Sequence, residues 1–385
     1  MAGERIVLAG YVIRCPLGGY AWQVLHYLAG LRALGFDPWF YEDTAHYGDC
    51  FDPATGNRHA TPESGLAFAA DFFGRFGFGD RWVFWDAVRN RYHGLASGDA
   101  AALLREARLV ITLGPVNRLA RSAGQRKVFI DLDPAFTQIR AAQGEPALCQ
   151  LLAEHDLHFT IGENVGSAAC PIPTKPFHWR PTRQPIALEL WRPLPRAAAA
   201  AFTTIGRWDE QRREIHFRGE SYSWRKRLQW MSFLDLPART GERFALAMDI
   251  DRTPADGALL RQHGWKILDP IAVSSGATRY REFIRSSRGE FTVAKDLNVR
   301  LASGWFSDRS ACYLAAGRPV ITEDTGFHRV LPTGAGLFAV RTLDDAITAC
   351  RTIAADYDAH THAARQIAEE YFAAARVLRD LIARV

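Results

Sequence analysis

The chain has 385 residues, of which 48% are hydrophobic and 23% charged, a composition that excludes a disordered or fibrous protein and allows two domains. Its 47 basic and 42 acidic residues give a net charge of +5, too even a balance for a protein that packages nucleic acid. No apolar run reaches the about 20 residues of a membrane span, and the opening residues do not resemble a signal peptide. The six scattered cysteines form no Cys-x-x-Cys pair, so we expect a reduced, cytoplasmic protein without disulfides or a zinc site.

Short apolar runs alternate with amphipathic helical patterns along the first half of the chain. The pattern over 20–34 predicts a helix with one apolar face. The predicted strands of this half lie at 5–11, 38–42, 109–113, 128–131 and 158–161. Because these runs are apolar on both faces, they are typical of a parallel sheet covered by helices on both sides.

The second half repeats this alternation and ends in a helical tail. Its predicted strands lie at 202–205, 244–248, 290–293 and 320–322. The tail over 344–385 has a helical pattern with a break near 357–360. The two halves together predict an α/β protein with two Rossmann-like units.

A proline-rich stretch separates the two halves. Seven of the 19 prolines fall within 171–195, and proline removes a backbone donor and fixes φ, which disfavours central strands and helices. The predicted organisation is an N-terminal domain over 1–170, a linker over 171–200, a C-terminal domain over 201–365 and a terminal helix over 366–385.

One segment of the second half has the pattern of an anion site. Ser307 is a suitable N-cap for an alanine-rich helix, which leaves the backbone N–H groups of Asp308, Arg309 and Ser310 without partners inside the helix. Such a helix end binds anions, and Gly304 upstream allows a ligand to approach the main chain. The alternative is an ordinary capped helix in which Asp308 offsets the helix dipole.

The sequence around this helix resembles the donor-binding half of GT-B glycosyltransferases. A glycine-containing loop and a helix are followed by Ala-Ala-Gly-Arg-Pro-Val-Ile at 315–321 and by an acidic-Thr-Gly motif. Near the N-terminus, Pro-Leu-Gly-Gly at 16–19 is similar to the Gly-Gly loop that opens many of these enzymes, bacterial members among them.

This resemblance implies two Rossmann-like domains that face a central cleft, with the C-terminal helix crossing back to the first domain. It further implies that the diphosphate of a nucleotide-sugar lies on the helix that Ser307 begins, and that Gly18 and Gly19 leave room for donor and acceptor. The loop after the next strand would touch the sugar through the residues Glu323, Asp324, Thr325 and Gly326.

The chain departs from the family at the Glu-x7-Glu motif of many retaining members. Alignment on 316–319 puts Gly304 and Cys312 at the two glutamate positions, and neither residue is acidic. Ribose recognition would then come from Asp308 or Ser310.

Basic residues elsewhere are candidates for neutralising the diphosphate. Lysine is scarce in this chain, five residues against 42 arginines, which makes Lys226 and Lys295 informative. Arg207 follows the first strand of the second domain, where the resemblance implies a basic residue. The stretch 207–227 also interleaves aromatic residues with arginines, a pattern that fits nucleic acid but equally a packed and solvated helix, and the modest net charge disfavours a nucleic-acid partner.

Two Asp-x-Asp sequences follow predicted strands, at 131–133 and 249–251. They could bind a divalent metal through a diphosphate, or cap loops; the two-domain plan favours the second interpretation, so we expect no metal. Asp133 would lie on the acceptor side and could act as general base, with Glu163 as its rival.

These observations predict a metal-independent glycosyltransferase that uses a nucleotide-diphosphate sugar, of UDP or TDP type, as donor substrate and needs no other cofactor. The acceptor would be a small molecule or a glycan. A nucleotide-sugar epimerase and a non-catalytic nucleotide-binding protein are the alternatives. A pyridine-nucleotide oxidoreductase is disfavoured because no dinucleotide fingerprint follows the first strand.

Overall fold

The computed structural model describes residues 3–45, 48–59, 61–195, 200–210, 214–250 and 253–385. The strands of the first half are β1 (Arg5–Ala9), β2 (Asp37–Asp43), β3 (Cys50–Phe51), β4 (Arg58–His59), β5 (Trp82–Asp86), β6 (Arg91–His93), β7 (Leu109–Leu113), β8 (Arg126–Asp131), β9 (Leu157–Thr160) and β10 (Trp179–Pro181). Eight of them form a sheet in the order β10-β9-β8-β7-β1-β2-β5-β6, and β3 and β4 form a separate small ribbon.

The second half contains its own sheet. Its strands are β11 (Phe202–Gly206), β12 (Ile215–Phe217), β13 (Glu220–Tyr222), β14 (Phe244–Met248), β15 (Trp265–Leu268), β16 (Gly289–Thr292), β17 (Val320–Glu323) and β18 (Leu337–Val340). Six of these pair in the order β15-β14-β11-β16-β17-β18, all in parallel, whereas β12 and β13 form an antiparallel hairpin outside the sheet.

Helices cover both sheets. They are α1 (Gly18–Ala33), α2 (Glu63–Arg75), α3 (Ser97–Glu106), α4 (Phe136–Ala142), α5 (Pro146–Ala153), α6 (Arg227–Ser232), α7 (Leu236–Thr240), α8 (Pro254–Gln262), α9 (Pro270–Ser274), α10 (Ala277–Ser286), α11 (Asp296–Arg300), α12 (Asp308–Ala315), α13 (Leu343–Ala355), α14 (Tyr357–Ile367) and α15 (Ala374–Ala383). Every residue of β7 and of β14 is buried, as continuous apolar strands between two helical layers must be. The predicted α/β class is confirmed: the second sheet is parallel, and the first is parallel apart from its edge strand β6, which pairs antiparallel with β5.

The C-terminal tail returns to the first half, as predicted. Helix α15 packs against α1, where a Cβ on Gly30 would lie 2.6 Å from a methyl carbon of Leu378. The break in the tail falls at Asp356, which ends α13 and accepts the N–H of Ala359 as the N-cap of α14. A second interruption follows Phe372.

The stretch predicted as a linker is partly ordered into the first sheet. Strand β10, within 171–200, pairs with β9, and Trp191 is fully buried with its ring edge-on to Trp22 at 5.0 Å. Residues 196–199 of this stretch lie outside the described part of the chain. The chain therefore passes from the first sheet to the second between Pro181 and Phe202.

The two halves share a hydrophobic core. Trp22 of α1 is buried and donates its indole N–H to the carbonyl of Ala277 in α10 at 2.8 Å. The same cluster contains Leu25 of α1 and Tyr313 of α12. This packing brings the start of α1 next to the start of α12, where the sequence predicts the functional site.

Candidate functional site

Loops that follow strands of both sheets meet at one place. Lys295, after β16, donates to Asp133 Oδ1, after β8, at 3.0 Å. Gly162, after β9, forms a bridge with Trp305 in the loop before α12. Because the carboxyl ends of parallel strands are where α/β sheets bind ligands, this junction is the candidate site.

The N-terminus of α12 lies at the junction. Ser307 occupies the N-cap position but makes no capping bond with its side chain, and its hydroxyl lies 3.5 Å from Asp308 Oδ1. The carboxylate of Asp308 receives the backbone N–H of Arg309, and burial raises the pKa of Asp308. Ser310 is buried, and its hydroxyl has no partner among the described residues. The first turn of α12 therefore contains one hydroxyl without a partner among the described residues, that of Ser310, and one acidic side chain, that of Asp308.

Arg309 is tied into the second sheet rather than left open to a ligand. Its Nε donates to Glu290 Oε1 at 2.5 Å, and its two terminal nitrogens donate to the Ile205 carbonyl at 2.6 Å and to Thr292 Oγ1 at 3.0 Å. Glu290 is fully buried, so its carboxylate compensates much of the guanidinium charge.

Lys226 has a different environment. No hydrogen bond or ion pair to its ammonium is found among the described residues, and its Nζ lies 5.7 Å from the centre of the Trp305 ring. Burial lowers the pKa of Lys226 to about 7, and the charges of Arg309 and Lys295 act in the same direction. We call Lys226, Lys295 and Arg309 the basic cluster.

Glu323 is the acid that faces this cluster. Its Oε2 accepts the backbone N–H of Ala294 at 3.0 Å. Burial raises the pKa of Glu323 to about 7, against the opposing effects of that hydrogen bond and of the Lys226 charge. An acid and a base that both titrate near neutrality are common at functional sites.

The other predicted residues of the same loop make structural contacts. Asp324 accepts hydrogen bonds from Arg341 Nη2 at 2.7 Å and from the backbone N–H of Gly326 at 2.8 Å. Thr325 donates to the carbonyl of Trp305 at 2.6 Å. Of the two acids in 323–326, Glu323 is the one whose charge acts on the basic cluster.

The glycines predicted to make room for a ligand are instead packed closely against other parts of the protein. Gly304 has φ +76°, and a Cβ there would lie 2.8 Å from the backbone nitrogen of Asn164. A Cβ on Gly326 would lie 2.7 Å from Asn164 Nδ2. A Cβ on Gly18 would lie 2.5 Å from Tyr280 Cβ, and Gly19 faces the same ring.

Asn164 is a residue that the sequence did not single out. Its amide donates to the carbonyls of Ala302 and Gly326, both at 3.0 Å, and its backbone N–H donates to Ser303 at 3.1 Å. It thus joins the loop after β9 to both loops around α12. Its partners lie more than 130 residues away, so no local pattern could have revealed it.

Both predicted general bases are held in ion pairs. Asp133 is bound by Lys295, as described above. Glu163 accepts from Arg183 Nε at 2.6 Å, and burial raises the pKa of Glu163 although Arg183 opposes this. Arg183 in turn lies over the ring of Tyr371, at 5.2 Å from its centre.

Arg207 lies at the rim of the junction. It is 59% exposed and pairs with Glu210 at 3.1 Å. Burial raises the pKa of Cys15, in the loop after β1, to about 12, and the charges of Arg207 and Arg58 oppose this shift.

That loop is shaped by a second residue missed from the sequence, Glu42. Its fully buried carboxylate accepts the backbone N–H groups of Val12, Ile13 and Arg14 at 2.6–2.9 Å, and the Nε of Arg14 at 3.1 Å. The sequence signal that could have revealed Glu42 is its position as an acidic residue at the end of an apolar strand.

The described residues contain no group of three or more potential metal ligands. Asp131, in the first Asp-x-Asp sequence, is buried and bonded to Thr137, Gln138 and Thr160. In the second sequence, Asp249 accepts the N–H of Trp208 at 2.9 Å, and residue 251 lies outside the described part.

A cavity of about 380 Å³ lies elsewhere, at the amino-terminal edge of β2. Its lining includes Arg81, which pairs with Asp37 at 3.3 Å, and Arg32, which donates to the Gly77 carbonyl at 2.7 Å. It is remote from the carboxyl ends of the strands, and we do not assign it to the candidate site. In the described part of the chain, no helix has the length and apolar character of a membrane span.

Comparison with solved structures identifies the architecture. Sucrose-phosphate synthase from Thermosynechococcus elongatus superposes with a TM-score of 0.54 at 13% identity, over 99% of this chain and 100% of that one. An alpha-glucosyltransferase in complex with UDP-glucose and DNA containing an abasic site gives 0.60 at 10% identity, over 99% of each chain. The chain has the GT-B fold.

A third GT-B structure, Anabaena HepE in complex with UDP-glucose, gives a TM-score of 0.57 at 10% identity, over 99% of this chain and 100% of that one. No protein-family model matches the sequence, and a search of curated proteins finds no significant match. The GT-B resemblance inferred from the sequence is therefore confirmed at the level of fold.

Proposed function

We propose that this GT-B protein transfers a glycosyl group from a nucleotide-diphosphate sugar, of UDP or TDP type, to a hydroxyl or similar nucleophile, without a metal ion. The observation that carries the proposal is Lys226, a partly buried ammonium at the junction of the two halves that has no hydrogen bond or ion pair among the described residues. A buried cation without a counter-ion is costly unless a ligand supplies the negative charge.

The chemistry of the donor suits this environment. Breaking the bond between the anomeric carbon and the diphosphate oxygen leaves negative charge on the departing nucleotide. Lys226, with the charges of Lys295 and Arg309 nearby, would stabilise that charge as it develops. The hydroxyl of Ser310, on the first turn of α12, is buried and has no partner among the described residues, so it would reach the diphosphate only after a local shift. These positive groups supply the compensation that a metal provides in other transferases.

Glu323 is placed to receive sugar hydroxyls, because one carboxylate oxygen is fixed by Ala294 while the group faces Lys226. Arg207 at the rim is the further candidate for contact with the nucleotide. We leave the general base unassigned, since Lys295 and Arg183 each hold one oxygen of Asp133 and Glu163, and a neighbouring cation makes a carboxylate a weaker base.

The fold adds support from its neighbours. The HepE structure described above contains UDP-glucose, and the alpha-glucosyltransferase structure contains both UDP-glucose and DNA. For this chain we propose a small-molecule or glycan acceptor, with DNA as an acceptor to include in the assay.

The first test is nucleotide binding by Lys226→Met, compared with wild type and with Lys266→Met. Lys266 is an exposed lysine on β15, the outer strand of the second sheet, and serves as the matched control. Removal of one partner of a buried charge pair costs about 2 kcal/mol or more, so the Kd for UDP or TDP should rise about 30-fold in Lys226→Met and stay unchanged in Lys266→Met.

A thermal-shift panel of UDP, TDP, GDP, ADP and NAD precedes this comparison. Stabilisation by NAD alone would contradict the transferase proposal. Incubation of the donor then separates the activities: a transferase consumes it only with an acceptor, an epimerase converts its sugar without one, and a non-catalytic binder leaves it intact.

A further inference from the structure

The antiparallel hairpin of the second half reaches across to the first half. We call residues 214–226 the hairpin arm; it contains β12 and β13 and ends at Lys226. The amide of Gln143, after α4, donates to the carbonyl of His216 at 2.6 Å. The apolar side chains of the arm share a core with those of α4 and α5, and this core includes Ile215, Tyr222 and Trp224 with Ile139, Leu148 and Leu151.

Trp224 is the centre of this contact. Its ring meets Phe136, the first residue of α4, edge-on at 4.5 Å, and its indole N–H donates to Glu210 at 2.5 Å. The Nζ of Lys295 lies 3.1 Å from the centre of the same ring. An ammonium over an indole face is a favourable cation–π contact, stronger where water is excluded.

Asp133 completes the arrangement from the first half. It lies three residues before Phe136 and binds the same Lys295 at 3.0 Å. Trp224 is thus flanked by a ring of the first half on one side and by a lysine that the first half holds on the other. Lys226 follows Trp224 by two residues, so fixing the indole restricts where the ammonium can go.

We propose that Asp133 and Phe136 are positioning residues for donor binding: by holding Trp224 and Lys295 they keep Lys226 at the diphosphate site. The inference rests on the proposed function, because it takes a nucleotide diphosphate as the ligand of Lys226. It gives the first half a part in donor affinity without contact with the donor.

The physical reason lies in the position of Lys226. An ammonium with a long flexible stem loses conformational freedom and hydration when it stays partly buried without a partner. Without the contacts of Trp224, the end of the hairpin arm would relax toward solvent and carry Lys226 with it. The donor would then have to reorder this segment when it binds, which weakens affinity.

This role differs from that of a general base in a measurable way. A base acts on the acceptor, so its loss abolishes turnover and leaves nucleotide affinity unchanged. A positioning residue for Lys226 changes nucleotide affinity itself, whether or not an acceptor is present.

The test is calorimetric titration of the full chain with UDP and TDP. Asp133→Asn removes the charge that holds Lys295, and Phe136→Leu removes the ring against Trp224. The matched controls are Asp71→Asn, from the exposed pair with Arg75, and Phe68→Leu, a partly buried ring on α2. We expect the Kd to rise about 5- to 20-fold in both test variants and to stay within twofold of wild type in both controls.

Two further measurements distinguish a positioning role of Asp133 from a general loss of structure. Asp133→Glu, which can still reach Lys295, should recover most of the affinity. Proton uptake on nucleotide binding at pH 8, obtained from titrations in two buffers, should fall in Asp133→Asn because Lys226 is no longer held where burial favours its neutral form.

Each remaining outcome is decisive. Unchanged affinity in Asp133→Asn and Phe136→Leu, with binding by wild type intact, overturns this inference and leaves the proposed function standing. Unchanged affinity with lost turnover in Asp133→Asn assigns the base role instead. Failure of wild type to bind any nucleotide overturns the proposed function and this inference together.

Discussion

The N-terminus of α12 and the end of the hairpin arm both carry residues that the sequence predicts to hold a diphosphate, but they use their polar groups differently. At α12, Arg309 is bonded to Glu290, Ile205 and Thr292, and Asp308 takes up an N–H of its own helix. At the end of the arm, Lys226 has no such bonds to the residues that the structure describes. A basic residue in the right motif can therefore be part of the fold, while one outside any motif remains available to a ligand.

The largest expected effect is a loss of stability, which tests whether Arg309 is a structural residue. Arg309→Met removes the cation bound to Glu290, whose carboxylate is fully buried. Breaking a buried pair in this way costs about 3–5 kcal/mol, which urea denaturation would show as a lowered free energy of unfolding. Arg207→Met, at an exposed pair, is the control, with about 1 kcal/mol at most.

A stable Arg309→Met that loses only nucleotide affinity would reverse the comparison and make Arg309 a ligand residue. The double variant with Glu290→Gln should recover part of the stability, because the second substitution removes the unpaired charge.

A smaller effect concerns the contact of the α12 loop with the first half. Gly304→Ala places a Cβ 2.8 Å from the nitrogen of Asn164 at φ +76°, so we expect a loss of about 2 kcal/mol or more in unfolding free energy. Gly241→Ala, at φ +69° with open space around it, reports the backbone strain alone and should lose about 1 kcal/mol. Equal losses would show that Asn164 moves aside without cost.

The smallest expected effect is a pH dependence of nucleotide affinity, which tests whether Lys226 contacts the diphosphate. The pKa of Lys226 is about 7 in the free protein, and a bound diphosphate favours the ammonium. Affinity should therefore be level below pH 7 and weaken above it, by up to about tenfold per pH unit, about 1.4 kcal/mol. Glu323, with a pKa of about 7, ionises over the same range and adds repulsion in the same direction.

Titration of UDP between pH 6 and 9 measures this dependence. Lys226→Arg stays charged throughout, so most of the slope should disappear in that variant, and Glu323→Gln should remove the rest. A flat profile in wild type would place the diphosphate away from Lys226.

Much of the fold could be predicted from sequence because its central strands are apolar on both faces. The runs at 109–113 and 244–248 coincide with β7 and β14. The strands that were missed lie at or near sheet edges, such as β15, where only Trp265 is buried, or lie outside the two large sheets, in the ribbon of β3 and β4 and in the hairpin of β12 and β13. The alternation of aromatic and charged residues in the hairpin resembles a helix surface.

The candidate site was predicted as a set of residue types rather than as a set of contacts. The sequence placed Lys226, Lys295 and Glu323 among the ligand residues, and the structure brings them to one junction. It could not show that Lys295 binds Asp133, a partner 162 residues away, or that Arg309 of α12 binds Glu290 of β16. Such pairings follow from sheet order and from the contact of the halves, which no local window contains.

The indole of Trp22 has a consequence for how the proposed substrates would enter and leave. It is buried between α1, α10 and Trp191, with its N–H satisfied by Ala277. Rotating the halves apart as rigid lobes would return this ring to water and strand that hydrogen bond, at a cost of several kcal/mol. For the proposed transferase, substrate exchange should accordingly proceed through side-chain rearrangement at the rim, without wide hinge opening, so the hydrodynamic size of the protein should change little when nucleotide binds.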